Sequence, residues 1–346
     1  MIKNSDITVG VIANPASGRD IRRLTAKASV VSITEKANMV QRLLGPLGAL
    51  GVGRVLMMPD TTGIAAAVRR AVENNQARGR MSWPELVFLD QDLFGGPEDS
   101  QTAARLMADV GVRIIVILGG DGTHRVVASS VPDMPLATLS TGTNNVFPDW
   151  RESTVTGIAT ALHATGRVGR DITLRPNKQL RVVLDEREEI ALVDACVTRL
   201  SHIGARAVWN PETISELFVC FAEADSIGLS SIAAMMEPIS RDEPRGAYLR
   251  CATDGRQVMA PIAPGVLEPV AVGHFEIMQP DIPYPVYSGH GSIALDGERE
   301  IEFRPGQHPE VSLELNGPAT LDVPATISAA VESGLMVGWS EQQMSG

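Results

Sequence analysis

Cysteine is scarce in this chain: three in 346 residues, at positions 196, 220 and 251, with no CxxC pair among them. That spacing excludes a disulfide framework and a thiolate zinc site. The six histidines show no ligand spacing either, so no structural metal is expected. Basic residues are also in deficit, 30 Lys and Arg against 41 Asp and Glu, for a formal net charge of -11. A surface of that sign is not built for nucleic acid or anionic membranes, although it says nothing about single cationic pockets. No uninterrupted apolar run is long enough to span a bilayer, and the opening residues lack the apolar segment of a secretory signal. The expectation is a soluble cytoplasmic protein acting on a small-molecule substrate. Low-complexity segments and internal repeats are missing as well. Two nucleotide fingerprints are absent: GxxxxGK followed by Ser or Thr, and GxGxxG directly between the first strand and its helix. P-loop NTPases and ordinary nicotinamide dehydrogenases are therefore poor fits.

The length suits two domains, each with a core of its own. Over residues 1–150, short apolar runs alternate with amphipathic stretches, the pattern of a Rossmann-like α/β domain whose parallel sheet is covered by helices. "ITVGVIANP" reads as the first strand, "GRVLMMP" as the second, "ELVFLD" as the third, "VRIIVIL" as a central strand apolar on both faces, and "PLATLS" as the next. Ser32 and Glu35 have capping-box spacing before a helix through Ala37, Val40, Leu43 and Leu44. Ile64 to Val72 reads as helix, and Asp99 or Ser100 caps another that carries Ala103, Leu106 and Met107. After about Trp150 the helix "TVTGIATALHATG" leads into short runs broken by turn residues, including "DITLRP", "QLRVVLD", "IALVDACVTRL", "HFEIMQP" and "SIALDG". One helical segment, about Ser226 to Met236, interrupts them, with Gly228 and Ser230 candidates to face a cleft and Met235 and Met236 read as packing. Residues 151–320 are expected to form a second, mostly antiparallel β-sandwich-like domain that shapes the substrate pocket and oligomer contacts. Residues 321–346 are a candidate to pack back on the first.

Three loops carry the chemistry. Each follows an apparent strand of the first domain: "NPASG" (Asn14 to Gly18), "GGDGT" (Gly119 to Thr123) and "TGTNN" (Thr141 to Asn145). Ligands of open parallel sheets bind at the carboxyl ends of strands, where successive backbone N–H groups and a helix N-terminus form an anion nest. Gly119, Gly120 and Gly122 suit a close approach to phosphate. Asp121 does not, because a carboxylate repels an anion. It makes sense if it meets a magnesium-bound phosphate or takes a proton from a hydroxyl. Thr123 then donates to a phosphate oxygen. The plain alternative is a tight strand-to-helix turn in which Asp121 only caps the helix.

The order NPxSG, GGDGT, GTxN and then Asp-Gly-Glu in a β-rich second half resembles the superfamily of NAD kinases, diacylglycerol kinases and sphingosine kinases. The long first domain and the wording "GTNNVFP" are most similar to its acetoin-catabolism protein X branch. The resemblance implies an ATP-dependent phosphotransferase that uses Mg²⁺, with its site in a cleft between an α/β domain and a sandwich-like domain. It assigns Asn14, Ser17 and Gly18 to the first phosphate-side motif. It assigns Gly119, Gly120, Gly122 and Thr123 to the second, with Asp121 as base or metal-associated carboxylate, and Gly142, Thr143 and Asn145 to the third. Asp296 and Glu298, flanking Gly297, match the acidic residues that organise the metal in the lipid kinases. Relatives often form homo-oligomers. NAD kinases hold the NAD ribose with an Asn and an acidic neighbour; the best match here is Val193-Asp194. Asp194 can accept from a sugar hydroxyl, whereas Val193 cannot replace an amide, so the hydroxyl acceptor is NAD or another small metabolite, the latter at least as well supported.

Beside the loop, Arg125 is a candidate to neutralise transferring phosphate, and with His124 it also fits a solvated helix face. His290 in "SGHGS" is a candidate substrate contact and reads first as a surface histidine. Two function classes follow. One is phosphoryl transfer from a nucleoside triphosphate to a hydroxyl. The other keeps the nucleotide site without catalysis, as a sensor or accessory protein of a metabolic operon.

Overall fold

The computed structural model describes residues 7–18, 31–79, 82–142, 145–200 and 211–337. Strands and helices alternate through the first part: β1 (Thr8–Ala13), α1 (Ile33–Ala49), β2 (Arg54–Met57), α2 (Ile64–Arg78), β3 (Glu85–Phe88), α3 (Pro97–Asp109), β4 (Ile115–Gly119), α4 (Asp121–Ser130), β5 (Leu136–Ser140) and α5 (Ser153–Ala164). The strands pair in parallel in the order β3-β2-β1-β4-β5. Helices cover both faces, so β4 is buried along its length. On one face α3 and α4 contribute Ala103, Met107 and Val127 to the core. On the other, α1, α2 and α5 contribute Leu43, Val68 and Leu162.

Local chemistry explains where these helices start. Ser32 caps α1 by accepting from the Glu35 N–H at 3.1 Å, and Ala37, Val40, Leu43, Leu44 and Leu47 form its buried stripe. Helix α3 begins at Pro97, with Gly96 as its cap, earlier than the Asp99 or Ser100 start read from the sequence. Asp99 instead sits in the first turn, where its carboxylate accepts from the N–H groups of Phe94 and Gly95 at 2.8 and 2.9 Å.

The later part contains α6 (Arg170–Thr173), β6 (Leu174–Arg175), β7 (Gln179–Leu184), β8 (Arg187–Ala191), β9 (Asp194–Thr198), β10 (Ile214–Val219), α7 (Ser230–Ala234), β11 (Gly246–Ala263), β12 (Val266–Met278), β13 (Pro283–Pro285), β14 (Gly291–Leu295), β15 (Glu298–Phe303), β16 (Glu310–Glu314), β17 (Thr320–Leu321) and α8 (Val323–Glu332). A six-stranded sheet of order β12-β11-β10-β9-β14-β15 faces a four-stranded sheet of order β13-β16-β7-β8, both antiparallel. Leu180, Val182, Val311 and Leu313 from one sheet meet Val197, Phe218 and Ile293 from the other, which makes the sandwich.

Several expectations change here. "DITLRP" is mostly the turn of α6 with a two-residue strand after it, and the helix expected over Ser226 to Met236 contracts to α7. Strands β10 and β11 and the first half of β12 carry charged and glycine residues that hide their alternation, whereas "HFEIMQP" supplies the end of β12. Pro264 and Gly265 close the long β11–β12 hairpin, with Gly265 at φ 75° as a tight turn requires. Strand β17 pairs in parallel with β5, and β6 pairs with β17, so the first sheet has seven strands. Helix α8 packs on α5. One core runs on from the α3–α4 face into the sandwich, where Val127 and Phe147 belong to the same cluster as Leu192 and Phe221. Among the described residues, no helix is long and apolar enough to cross a membrane.

At the end of α1, an added Cβ on Gly48 would stand 1.7 Å from the Ser82 carbonyl oxygen. Gly48→Ala therefore forces a backbone shift and is expected to cost about 1–3 kcal/mol, read as a lower urea midpoint at unchanged slope.

Candidate functional site

Strands β1 and β4 are neighbours, yet the chain leaves them toward opposite edges of the sheet. That reversal is a topological switch point, where the loops after adjacent strands part and leave a crevice. The three motif loops meet there and hold one another by side chains. Asn14 Nδ2 donates to Thr123 Oγ1 at 2.8 Å, joining the first loop to the second. Ser17 and Thr141 hydroxyls lie 2.8 Å apart, joining the first to the third. Asn145 Nδ2 donates to Ser140 Oγ at 2.7 Å. An added Cβ would lie only 3.0 Å from Asn145 Oδ1 at Gly120 and 2.4 Å from it at Gly142. Those two glycines make room for the amide. Gly18 has φ 82°, a left-handed conformation that favours glycine. Thr143 lies outside the described residues.

Asp121 is the first residue of α4, buried beneath the third loop. Its Oδ1 accepts from the N–H groups of Val146 and Phe147 at 3.1 and 2.9 Å, and its Oδ2 lies 3.1 Å from the Val146 nitrogen. The carboxylate thus fastens the third loop to the second, a role the motif pattern alone does not reveal. Nearby, Gly119 lies under Thr123, where an added Cβ would stand 2.6 Å from the threonine Cβ.

The second domain supplies the facing wall. Asp296 and Gly297 form the tight turn between β14 and β15, both with positive φ, 51° and 82°. The Asp296 carboxylate accepts from the N–H groups of Leu192, Val193 and Asp194 at 2.8 to 3.3 Å, and Arg125 Nε lies 3.8 Å away. Burial pushes this carboxyl up, while Arg125 and the three amides pull it down. Asp296 therefore anchors the turn against α4. Glu298 follows, its carboxyl carbon 3.5 Å from where a Gly122 Cβ would stand. Arg125 and His124 are both buried, so neither belongs to a solvated helix face. Val193 is 1% exposed inside the shared core, and only its backbone serves the site. Its side chain packs in that core and offers the site no hydrogen-bonding group. Asp194, buried at the start of β9, contributes its carbonyl to the Asp296 N–H at 2.9 Å. Gly228 and Ser230 sit at α7 under the β11–β12 hairpin, in a separate core cluster around Ile232 and Val258. His290 is exposed.

Two cations that carried no motif signal hold the loops from behind. Lys36 lies on the buried stripe of α1, and its Nζ donates to the carbonyls of Asn14 and Ser17 at 2.9 and 2.8 Å. The only sequence hint was a lysine among apolar helix positions. Arg241, between α7 and β11, donates through Nη1 to the Phe147 carbonyl at 2.8 Å and through Nη2 to the Val146 carbonyl. Its guanidinium also lies 4.3 Å over the Phe221 ring.

Beyond the first loop a cleft of about 340 Å³ opens over the ends of β1, β2 and β3, with Pro15, Met58, Pro59, Leu93 and Phe94 among its walls. Phe94 is 79% exposed at its edge, while its backbone is tied to Asp99. Asp60, also in the wall, caps α2 by accepting from Gly63 and Ala65 N–H groups at 2.8 and 2.6 Å. Burial alone would raise its carboxyl, but these bonds hold it below the usual range.

Magnesium finds no cage of its own. Among the described residues, no three His, Cys, Asp or Glu side chains converge as a metal site. Asp121 and Asp296 both turn oxygens onto backbone N–H groups. Among the described residues, Asp121, Asp296 and Glu298 do not form a cage for a resident ion.

Comparison with known proteins agrees with this architecture. Residues 9–168 match the family described as ATP-NAD kinase N-terminal domain, and residues 178–316 match the acetoin catabolism protein X C-terminal domain. Acetoin catabolism protein X of Cupriavidus necator is 41% identical over 336 residues, spanning 95% of this chain and 93% of that protein. The crystal structure of yeast NADH kinase complexed with NADH covers 97% of this chain and 89% of its own, with a TM-score of 0.51 at 14% identity. At that identity the likeness shows the fold.

His124 gives the site region a pH signature. Burial pushes its imidazole down to about 4; Nδ1 bonds the Gly120 carbonyl at 2.8 Å, and Nε2 has no hydrogen-bond partner among the described residues. His163, also driven to about 4 chiefly by burial, behaves alike. A depressed folded value means the unfolded chain takes up the proton first. The stability each contributes is present above about 6.5, the ordinary histidine value, and is lost as pH falls toward 4. His124→Asn should flatten the fall in urea-unfolding free energy between those values by up to one proton's slope, roughly 1.4 kcal/mol per pH unit.

Proposed function

The chain belongs to the acetoin catabolism protein X family, and from that premise we propose an ATP-dependent phosphotransferase acting on the hydroxyl of a small metabolite. The observation that carries this reading is the interlocking of three strand-end loops at the switch point, beside a cleft sized for a nucleoside. The base and ribose of the donor would occupy the cleft over β1, β2 and β3. Its phosphates would lie against the loops at Asn14–Gly18, Gly119–Thr123 and Gly142–Asn145. Phosphoryl transfer asks mainly for positioning and charge stabilisation, which preset backbone groups supply. The bond between the γ-phosphorus and its bridging oxygen breaks, ADP leaves, and a bond forms to the acceptor oxygen. The hydroxyl proton passes to the Asp121 carboxylate. Asp194 and Glu298 stand on the acceptor side. With no three-ligand metal cluster among the described residues, a magnesium ion would enter as part of the nucleotide and offset the charge of its phosphates.

The acceptor belongs to the second domain's surface. NAD stays in the panel because residues 9–168 match the ATP-NAD kinase N-terminal domain. Hydroxyketones and diols join it because of the relative's name. A second reading, nucleotide binding without turnover, is favoured by one observation: Asp121 is already engaged by the Val146 and Phe147 amides.

Thermal shift with ATP, followed by ADP release across that panel, separates the two. Catalysis predicts stabilisation by ATP, acceptor-dependent ADP, and a loss of about 10²–10⁴ in turnover for Asp121→Asn with ATP binding retained. Stabilisation without turnover leaves the second reading standing, and no stabilisation removes both. Phe94→Ala should weaken ATP binding by about 1–3 kcal/mol, the worth of one base–aromatic stack, while leaving inorganic tripolyphosphate binding unchanged in calorimetry.

A further inference from the structure

A single peptide group, the one joining Val146 to Phe147, is held at both ends by opposite charges. Its N–H donates to Asp121 Oδ1 at 2.9 Å, and its carbonyl accepts from Arg241 Nη2. The neighbouring groups repeat the pattern, since the Val146 N–H points to Asp121 and the Phe147 carbonyl takes Arg241 Nη1 at 2.8 Å. Asp121 begins α4 in the first domain, whereas Arg241 comes from the segment before β11 in the second. Arg241 is itself fixed from behind: Glu223 lies 3.4 Å from its Nε, and the ring of Phe221 lies 4.3 Å beneath it.

We propose that Arg241 is a positioning residue for Asp121, acting across the domain boundary through the Val146–Phe147 peptide group. A carboxylate, a peptide dipole and a guanidinium in line polarise one another. The guanidinium thus strengthens the N–H that orients the carboxylate. Two carbonyls on successive residues need a fork of two donors in one plane, which arginine has and lysine lacks. The inference rests on the phosphotransferase reading for its catalytic meaning. Its physical content is that Arg241 and Asp121 form one unit.

Amide hydrogen exchange on the full chain, resolved to Val146 and Phe147, tests this without requiring turnover. Arg241→Ala and Asp121→Asn are each expected to speed exchange at both amides by tenfold or more. The double variant should go little beyond the larger single effect, as members of one network do. Arg241→Lys, the variant to use if alanine fails to fold, should fall between wild type and Asp121→Asn. Wild-type exchange at both amides in Arg241→Ala, or in Arg241→Lys if alanine does not fold, overturns the proposal. So does simple additivity in the double variant. Where wild type turns over ATP, Arg241→Ala should lower kcat with little change in the KM for ATP, and added guanidinium ion should restore part of it. An equal loss in kcat and ATP affinity with no rescue also overturns it. If wild type shows no ATP-dependent activity, the functional reading fails while the exchange result still decides the coupling.

Discussion

Charged side chains that hold main chain, rather than one another, are what the site is built on. A strand-end loop buried between two domains leaves N–H and carbonyl groups that water cannot reach, and each such group needs a partner. This chain meets the need with ions. Asp121 takes N–H groups of the third loop, and Asp296 takes three from Leu192 to Asp194. Lys36 gathers carbonyls of the first loop. Lys178 does the same for Ser240, Glu243 and Arg245, at the cost of a value lowered to about 8, chiefly by burial. Charge-assisted bonds are short and directional, so loops without regular structure gain fixed geometry.

The same economy shapes the chemistry open to the site. Lys36 and Arg241 are turned onto carbonyls, and Arg125 faces Asp296. Among the described residues, phosphates arriving at the switch point would be met mainly by backbone N–H groups and small hydroxyls. Such a site also agrees with a chain whose net charge is -11.

Much of the first domain could be read from sequence because its signals are local. Ser32 followed by Glu35, the unbroken apolar run Ile114 to Leu118, and three loops of glycine and small donors each announce themselves within a few residues. What stayed hidden depends on partners far along the chain. Arg241 stands in "ISRDEPRG", which reads as solvated loop, and only folding sets it against residues 146 and 147. His124 and Arg125 look like an exposed helix start until the sandwich covers them. Strand β11 is not legible because Arg250, Asp254, Gly255 and Arg256 interrupt its apolar alternation. Val193 stands at a motif position whose sequence pattern does not show that its side chain joins the core.

The placement of β17 and α8 bears on how the molecule comes into being. Both complete the first sheet and its helical cover, yet a ribosome delivers them only after the entire sandwich has been made. The edge of β5 must wait, unpaired, through the synthesis of some 180 residues, the separation between Leu136 and Thr320. Contacts that distant in sequence form slowly, and an open strand edge invites association with other chains meanwhile. A nascent chain of this architecture is a natural client for chaperones, and cutting it between the two halves would strand a seam of the nucleotide-side sheet rather than release a finished domain.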